Sequence, residues 1–394
     1  MDKKDFFDSE DNKTFNLLKR IHIESGENTK IYKKIIISSL ITWFPLLILS
    51  FIEGNALNNS ITIPFLFDYA AYVKFLVTLP LFFICEKLVK HLTSESIFYF
   101  IKSGIISDNN ISEYEILINK YHKFLNSGRI EFGILAFSVV YLIIRELFFK
   151  NLGIESSWKN NQMSDYTIAG YWYIFVSFPV TQFILFRMLW KFFIWVWLLW
   201  KVSMMKLNLL YTNPDKAGGL NFLGPTQLAF GILGFAQSAT FSSQIATKVI
   251  YGGFSLRNFE LSIVLVIPLI SVLYLLPLCF FTKNLIKLKV NGLYEFGILA
   301  HKYGYLFENK WIRKSEFNQS AEEYEKDSLL GSGDIQSLAD IGSSFERIMD
   351  MRLVPFSFTT FIVMILLITM PILPLATLII PLPEILKILL GFLV

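Results

Sequence analysis

FIVMILLITMPILPLATLII, at residues 361–380, decides the fold class because it contains no charged residue. A helix needs about 20 consecutive apolar residues to cross about 30 Å of bilayer hydrocarbon, and this stretch approaches that requirement. Similar apolar stretches precede it and end in aromatic residues or lysines. Together they predict an all-α, polytopic helical membrane protein with about seven spans. The predicted spans are residues 35–52, 69–88, 131–149, 170–200, 226–251, 261–281 and 354–375.

The composition also favours a surface that faces lipid. Of the 394 residues, 54% are hydrophobic and 16% are aromatic, which leaves too little polar surface to cover a soluble globule of this size. The formal net charge is only +4 and no basic patch is present, so nucleic-acid binding is not expected. The two cysteines, Cys85 and Cys279, lie within apolar segments, which excludes a disulfide framework and a cysteine-rich metal site.

The distribution of lysine and arginine predicts the orientation in the membrane. Few basic residues lie around Asn55, Ser156 and Gly253. The loops that are rich in lysine are residues 1–34, 86–129, 201–225 and 282–352. By the positive-inside rule these loops are cytoplasmic, and we therefore expect a cytoplasmic N-terminus. Residues 1–20 are polar and carry both signs of charge, which is not the pattern of a cleaved signal peptide.

Two spans are predicted to continue beyond the bilayer. The aromatic segment from residue 170 runs on past Trp200, and the segment from residue 261 runs on towards residue 313, so that a helical cytoplasmic module forms. Residues 376–394 fit a short interfacial helix better than a further span. The expected units are a cytoplasmic N-terminal segment (1–34), two spans (35–88), a cytoplasmic helical insertion (89–130), the central spans with a cytoplasmic turn at 201–225 (131–281), a cytoplasmic helical segment (282–352), and the last span with the interfacial helix (353–394).

The predicted span at 226–251 is the most polar one. Gln237, Thr240, Gln244 and Lys248 recur at intervals of three and four residues and therefore share one helix face. Such a face is typical of a permeation path. The alternative is hydrogen bonding between helices beside close packing at glycines such as Gly231 and Gly234. In both cases we expect this helix to face protein or water rather than lipid.

Charged residues within spans are costly, at least about 2.5 to 3.5 kcal/mol near the bilayer centre, and are therefore informative. Arg187 and Lys191 lie one turn apart on one face and can offer a positive site to an anion. The alternative is that both side chains extend to lipid phosphates at the cytoplasmic boundary.

Four other charges lie at the ends of predicted spans. Arg145 and Glu146 end the third span, and Lys74 and Glu86 flank the second. We expect all four to be interfacial. Adjacent helix positions do not face each other, so Arg145 and Glu146 are expected to need separate partners.

The segment TNPDKAGGLNFLGP, at residues 212–225, predicts a tight turn after the aromatic helix. Gly218 and Gly219 permit positive φ angles there. The alternative is a ligand-binding nest of backbone N–H groups with Asp215 and Lys216 as its charged residues. The segment lacks the Gly-Lys-Ser/Thr ending of a P-loop, so it gives no support to nucleotide binding.

A cytoplasmic helix is predicted to begin at Asp334, which is suited to the N-cap position. Gln336 and Asp340 belong to its polar side and are, with Asp334, candidates for binding a ligand or for coupling to the membrane part. We interpret the segment as a docking helix that leads into the last long span. Its predicted apolar stripe comprises Ile335, Leu338, Ile341, Phe345, Ile348 and Met349.

Signatures of catalysis are missing from the sequence. The four histidines are scattered, and neither a His-Glu-x-x-His motif nor a Gly-x-Ser-x-Gly elbow occurs. We therefore expect no enzyme activity, no metal site and no cofactor.

Four motifs of the C-terminal half resemble those of a group of uncharacterised bacterial integral membrane proteins. They are PDKAGGL at 214–220, Lys310-Trp311, LGSGDIQSLAD at 330–340 and MRLVPF at 351–356. Members of the group are expected to carry a histidine where this chain has Asn213. The resemblance implies a bacterial cytoplasmic membrane and no particular substrate.

The leading hypothesis from the sequence is an oligomeric ion channel or small-solute permease, with the fifth span on the path and a cytoplasmic vestibule formed by helix extensions. An anion is one option for the conducted species. Its partners would be the lipid bilayer, further copies of the chain and a small ion or solute. The alternative is a membrane-anchored sensor, effector or assembly protein whose cytoplasmic helices bind a partner. A lipid-acting enzyme is a weaker third hypothesis, because no catalytic dyad is recognisable.

Overall fold

The computed structural model describes residues 28–57, 61–149, 157–160, 166–313 and 333–378. Within this part the chain is all-α, because its only extended pairings are isolated bridges between loops. The predicted interfacial helix at 376–394 lies, except for its first residues, outside the described part of the chain. So does most of the N-terminal segment at 1–34.

The helices are numbered α1 to α9 along the described chain. They are α1 Asn28–Ile52, α2 Tyr69–Tyr72 continued by Val73–Thr78 and Leu79–Lys102, α3 Ile111–Leu125, α4 Gly128–Phe149, α5 Ile168–Ser203, α6 Leu223–Tyr251, α7 Leu256–Ile312, α8 Gly333–Met349 and α9 Phe358–Leu378.

Among the described residues, four helices are long and apolar enough to cross a membrane, namely Ile31–Ile52 within α1, α5, α7 and α9. The expectation of an all-α chain with such helices is confirmed. The three other predicted spans, at 69–88, 131–149 and 226–251, form the helices α2, α4 and α6, and their crossing of the membrane remains a prediction. The helix α7 has 57 residues and continues far past residue 281.

Polar side chains begin several helices. Asp68 accepts a hydrogen bond from the backbone of Ala71 at the start of α2, and Thr167 accepts one from Gly170 at the start of α5. Ser357 does the same for Thr360 at the start of α9. Each bond satisfies a backbone N–H that lacks a partner in the first helical turn.

Two helices contain a π-helical turn before a proline. Val73–Thr78 in α2 precedes Pro80, and Tyr173–Ser177 in α5 precedes Pro179. Proline has no N–H to donate and its ring crowds the carbonyl four residues earlier, so the local helix widens. Turns of this kind are frequent at functional sites.

The helix α6 lies at the centre of the bundle and packs against α2, α7 and α9. Glycine permits this closeness, because a Cβ atom on Gly231 would lie 2.9 Å from Sδ of Met364, and one on Gly234 would lie 3.1 Å from Ile270 and Ile368. The helix thus faces protein along most of its length, as its polar composition requires.

The helix α8 packs along α7, but its apolar stripe is covered only in part. Ile348 is fully buried, whereas Ile335 and Met349 remain exposed in the chain. On the polar side, Gln336 donates a hydrogen bond to Asp340 one turn later. The prediction that all six apolar residues dock together is therefore only partly fulfilled.

Candidate solute-binding cavity

A cavity of about 700 Å³ lies between α2, α4, α5 and α6, close to the first residues of α2 and α5, the last residues of α4 and α6, and the loop residues 61–68 and 157–160. We call this end of the bundle the cavity end, and the opposite end, with the turn at 204–222, the basic end. The polar residues that line the cavity are Asp68, Lys74, Thr78, Arg145, Glu146, Ser157, Lys159, Asn160, Tyr166, Tyr173, Thr181, Gln182, Gln237, Thr240, Gln244, Thr247 and Lys248.

The polar face predicted on α6 lines this cavity with all four of its residues. The two deeper ones are bonded to other helices: Gln237 accepts a hydrogen bond from the Tyr274 hydroxyl at 3.0 Å, and the Thr240 hydroxyl lies 3.0 Å from that of Thr78. The two outer ones, Gln244 and Lys248, are exposed to the cavity. The face therefore combines bonding between helices at its inner end with open polar groups at its outer end.

Three cations surround the ring of Tyr173. The Lys159 ammonium lies 4.8 Å from the ring centre, the Lys74 ammonium 5.2 Å, and the Arg145 guanidinium 5.8 Å. Lys74 and Arg145 also lie 4.3 Å and 4.6 Å from the ring centre of Phe178. Aromatic faces attract cations, so these rings hold positive charge at the cavity wall.

One of these cations has a buried partner in the loops of the cavity end. Lys159 forms an ion pair of 3.0 Å with Asp68, which also accepts a hydrogen bond of 2.8 Å from the indole of Trp158. Burial alone would raise the pKa of Asp68, but Lys159 and the hydrogen bonds outweigh it and hold this pKa below its ordinary value. Burial likewise opposes the charge of Lys159, and Asp68 raises the pKa of Lys159 above its ordinary value.

Arg145 has a partner beside it in the sequence. Its guanidinium lies 2.8 Å from the carboxylate of Glu146, which also accepts a hydrogen bond from the hydroxyl of Tyr166. The expectation that adjacent positions on one helix need separate partners was wrong here, because both side chains are long enough to bend towards each other. Hydrogen bonding to Glu146 adds to burial in raising the pKa of Tyr166.

Lys74 differs from the other two cations. It forms no ion pair with a carboxylate of the described residues, and its ammonium instead donates a hydrogen bond to the Tyr173 hydroxyl at 3.3 Å. Its side chain is half-buried and faces the cavity, and its position at the membrane interface stays a prediction. A positive charge within a predicted span was the feature of the sequence that could have identified Lys74 as a cavity residue. Because Lys74 lies near the end of that span, its charge was interpreted as interfacial.

The cavity ends at a packed aromatic layer. Phe82 in α2, Leu185 in α5 and Gln237 in α6 are the lining residues nearest the basic end. Beyond them the rings of Phe192 and Tyr274 lie 5.0 Å apart in an edge contact, and Phe230 packs against Phe192 at 5.1 Å. These side chains are almost fully buried. Among the described residues, the cavity is therefore closed towards the basic end.

Arg187 and Lys191 do not line the cavity. Glu86 forms ion pairs with both, at 3.1 Å for Arg187 and as a close hydrogen bond for Lys191, and Arg187 also lies 3.5 Å from Glu131. Both expectations for this pair are corrected, because neither a free anion site nor extension to lipid phosphates describes it. Glu86 was expected to be interfacial. Its carboxylate joins α2, which carries it, to α5, which carries Arg187 and Lys191.

The turn at the basic end closes on its own side chain. The Asp215 carboxylate accepts hydrogen bonds from the backbone N–H groups of Ala217, Gly219 and Asn221 at 2.8 to 3.0 Å. Gly218 and Gly219 have φ angles of +66° and +98°. The donors that a ligand nest would offer are thus occupied within the turn, which agrees with the predicted tight turn and not with the ligand nest.

The motifs of the C-terminal half meet in pairs at this end. Lys216 forms an ion pair of 2.7 Å with Asp350, and Arg352 donates hydrogen bonds to the Asp215 carbonyl and to Asn221. The Lys216 ammonium donates a hydrogen bond to the Asp350 carboxylate and attracts its negative charge. Both effects lower the pKa of Asp350.

The second pairing joins the end of α7 to the start of α8. Asp334 accepts hydrogen bonds from the Lys310 ammonium at 2.8 Å and the Trp311 indole at 3.0 Å. These hydrogen bonds lower the pKa of Asp334. The candidate coupling residue Asp334 therefore acts as a link between two helices.

Several cavity residues were missed by the reading of the sequence. Asp68, Lys159 and Tyr173 were not selected, because loop charges and belt tyrosines are common in membrane proteins and only the fold brings them together. No family model, no curated protein and no solved structure matches this chain.

Proposed function

We propose that this protein is a membrane permease for small anionic solutes, which bind in the cavity of α2, α4, α5 and α6. The observation that carries the proposal is the polar face of α6, which opens together with Lys74 into a cavity of about 700 Å³. Cavities of about 300 to 1,000 Å³ are typical of sites for small molecules. The bacterial cytoplasmic membrane expected from the sequence is the proposed location.

The charge of the lining supports an anion as the solute. Lys74 lacks a carboxylate partner among the described residues, and Lys248 is exposed at the outer end of the α6 face without an ion pair in that part of the chain. Charged groups within membrane helices usually face a pathway or pair with one another. A solute anion supplies the missing partner.

The closed floor supports a carrier rather than a continuous pore. Solute reaches the cavity from one end, and the packed rings of Phe192, Phe230 and Tyr274 separate it from the basic end. Transport then requires a second arrangement of the helices, as in alternating access. The π-helical turns at Val73–Thr78 and Tyr173–Ser177 lie beside the cavity and are suited to such a change.

A second candidate function is binding of a protein partner or a further copy of the chain through α7 and α8. It is favoured by large apolar side chains that remain exposed on α7, among them Tyr294 at 72% exposure and Ile298 and Leu306. Single exposed apolar residues are normal, but a row of them along one helix is typical of an interface. This function does not need the cavity.

The proposal is tested by anion efflux from liposomes that contain the purified full chain. Chloride, acetate and inorganic phosphate serve as probes, each followed as release from preloaded vesicles. We expect at least one of them to leave faster than from vesicles without protein. Gln244→Leu removes an exposed amide from the cavity wall and should slow that release about tenfold, the effect of losing a hydrogen bond to a charged group.

Asn291→Leu is the matched control, because it also replaces an exposed side-chain amide with leucine, here on α7 and outside the cavity lining. It should leave the efflux unchanged. Gln237→Leu extends the test to the deeper wall, with gel filtration as the check of folding, since it also leaves the Tyr274 hydroxyl without its acceptor. Absence of protein-dependent efflux for all three anions, or equal rates for Gln244→Leu and the unchanged protein, would contradict the proposal.

A further inference from the structure

We infer that the cavity binds an amphipathic carboxylate, whose carboxylate group lies between Lys74 and Tyr173 and whose apolar part lies against Phe178. This inference rests on the proposed function and specifies the class of solute. It follows from the donors, the charge balance and the apolar wall of the cavity.

The donors come as a pair. The Lys74 ammonium donates to the Tyr173 hydroxyl at 3.3 Å, so the tyrosine oxygen acts as the acceptor and its own O–H proton remains to be donated. None of the described residues accepts that proton. An ammonium and a phenol O–H at this separation can each bind one oxygen of the same carboxylate, and hydrogen bonds to a charged group are the strong ones.

The charge balance around the Tyr173 ring favours a single negative charge on the group that binds there. Lys159 is paired with Asp68, and Arg145 is paired with Glu146. Of the three cations around the Tyr173 ring, Lys74 is the one without a carboxylate partner among the described residues. A monoanion neutralises it, and the unpaired ammonium in a half-buried site otherwise has only the phenol oxygen and the faces of aromatic rings as partners.

The wall beside these donors is apolar. Phe178 and Tyr141 stack with ring centres 6.1 Å apart and planes 10° apart, and Phe178 is itself buried. Phe82, Ile174, Leu185 and Phe241 are further apolar residues of the lining. A fully hydrated ion such as chloride gains nothing from these surfaces, whereas an aromatic or aliphatic body loses contact with water there. The cavity also has room for a molecule well beyond the size of acetate.

The test measures binding of 2-naphthoate to the full chain in phosphatidylcholine nanodiscs, with empty nanodiscs subtracted for partition into lipid. Two matched probes separate the parts of the recognition: 2-naphthamide keeps the rings without the charge, and acetate keeps the charge without the rings. We expect naphthoate to bind at least about tenfold more tightly than either, since each probe lacks one set of contacts.

Variants then assign the binding to the two donors. Lys74→Met and Tyr173→Phe should each weaken naphthoate binding about tenfold, and Tyr173→Phe keeps the ring so that the fold is little disturbed. Lys283→Met is the control, because it removes an exposed lysine of the basic end. Unchanged affinity in Tyr173→Phe, equal binding of naphthamide and naphthoate, or no binding of naphthoate would overturn the inference.

The outcome is separable from that of the proposed function. Binding of acetate as tight as that of naphthoate, together with anion efflux, would overturn the amphipathic solute and leave the anion permease intact. Binding of naphthoate that depends on Lys74 and Tyr173, without efflux of any anion, would support the site and remove the permease.

Discussion

The two halves of α6 carry similar polar side chains into different surroundings. In the half near the basic end, the fully buried Gln227 accepts a hydrogen bond from the Trp195 indole and donates one to the Tyr274 carbonyl. In the other half, Gln244 and Lys248 face a cavity. The same residue type is thus a packing element in one half and a candidate binding group in the other, and the number of protein partners decides which.

The charges of the two regions differ in the same way. Arg187 and Lys191 meet Glu86 in a compact group of ion pairs, whereas Lys74 contacts Tyr173 and aromatic rings and has no carboxylate partner among the described residues. A buried charge with a partner holds helices together, and one without a partner is costly unless it serves a ligand. A charge within a predicted span is therefore informative only once its neighbours are known.

The largest expected effect comes from Glu86→Gln, which leaves Lys191 without an ion-pair partner among the described residues. We expect the free energy of unfolding to fall by about 3 kcal/mol, as is typical when one member of a largely buried pair is removed. Denaturant unfolding in detergent micelles, followed by circular dichroism, measures it.

Two controls sharpen this comparison. Glu131→Gln removes a carboxylate that is 51% exposed and should change the free energy of unfolding by less than about 1 kcal/mol. Lys74→Met removes the cation without a carboxylate and should not destabilise the protein. A loss of stability in Lys74→Met equal to that in Glu86→Gln would show that the two regions do not differ as described.

A smaller effect is expected from Gly170→Ala at the edge of the cavity. A Cβ atom there would lie 2.2 Å from the carbonyl oxygen of Lys159, so the loop that carries the Lys159 and Asp68 ion pair must move. Overpacking of this kind should lower the free energy of unfolding by about 2 kcal/mol. Gly133→Ala in α4, where no atom lies within 4 Å, is the control and should not lower it. Equal stability of the two variants would contradict the close approach at Gly170.

The smallest expected effect concerns the link between α7 and α8. The folded state holds the pKa of Asp334 below its ordinary value of 3.8 by hydrogen bonds from Lys310 and Trp311. The carboxylate therefore stabilises this contact above about pH 4, and the stabilisation is lost as the pH falls through the lowered pKa. The part of the emission due to Trp311, obtained by difference from Trp311→Phe, should shift in that range.

Asp334→Asn is the control for this titration, because it removes the ionisable group and should abolish the shift. A shift of the same size in Asp334→Asn would assign the transition to another group. Asp350, at the other end of α8, carries a lowered pKa beside Lys216 and is the first alternative.

Local patterns predicted the helices well and the site only in part. The run without charge at 361–380 is long enough to identify a helix for the membrane, and the spacing of Gln237, Thr240, Gln244 and Lys248 fixed one shared face, which the fold turns to the cavity. Arg187 and Lys191 were misread because their partner Glu86 lies about a hundred residues away in the sequence. Helical periodicity shows which residues share one face of a helix, but it does not show which other residues pack against that face.

The sequence by itself determined that the chain is helical and apolar enough for a membrane, since hydrogen bonding within a helix and the hydropathy of about 20 residues are local properties. It also determined the turn around Asp215, whose carboxylate bonds lie within the seven residues 215–221. Only the tertiary structure decided which charges are paired and where space remains. Loops at 61–68 and 157–160, far apart in the chain, meet α2 and α5 to bring Asp68, Lys74, Lys159 and Tyr173 together. Ion pairs and cavities depend on distances between helices, and those distances are set by the packing of the whole bundle.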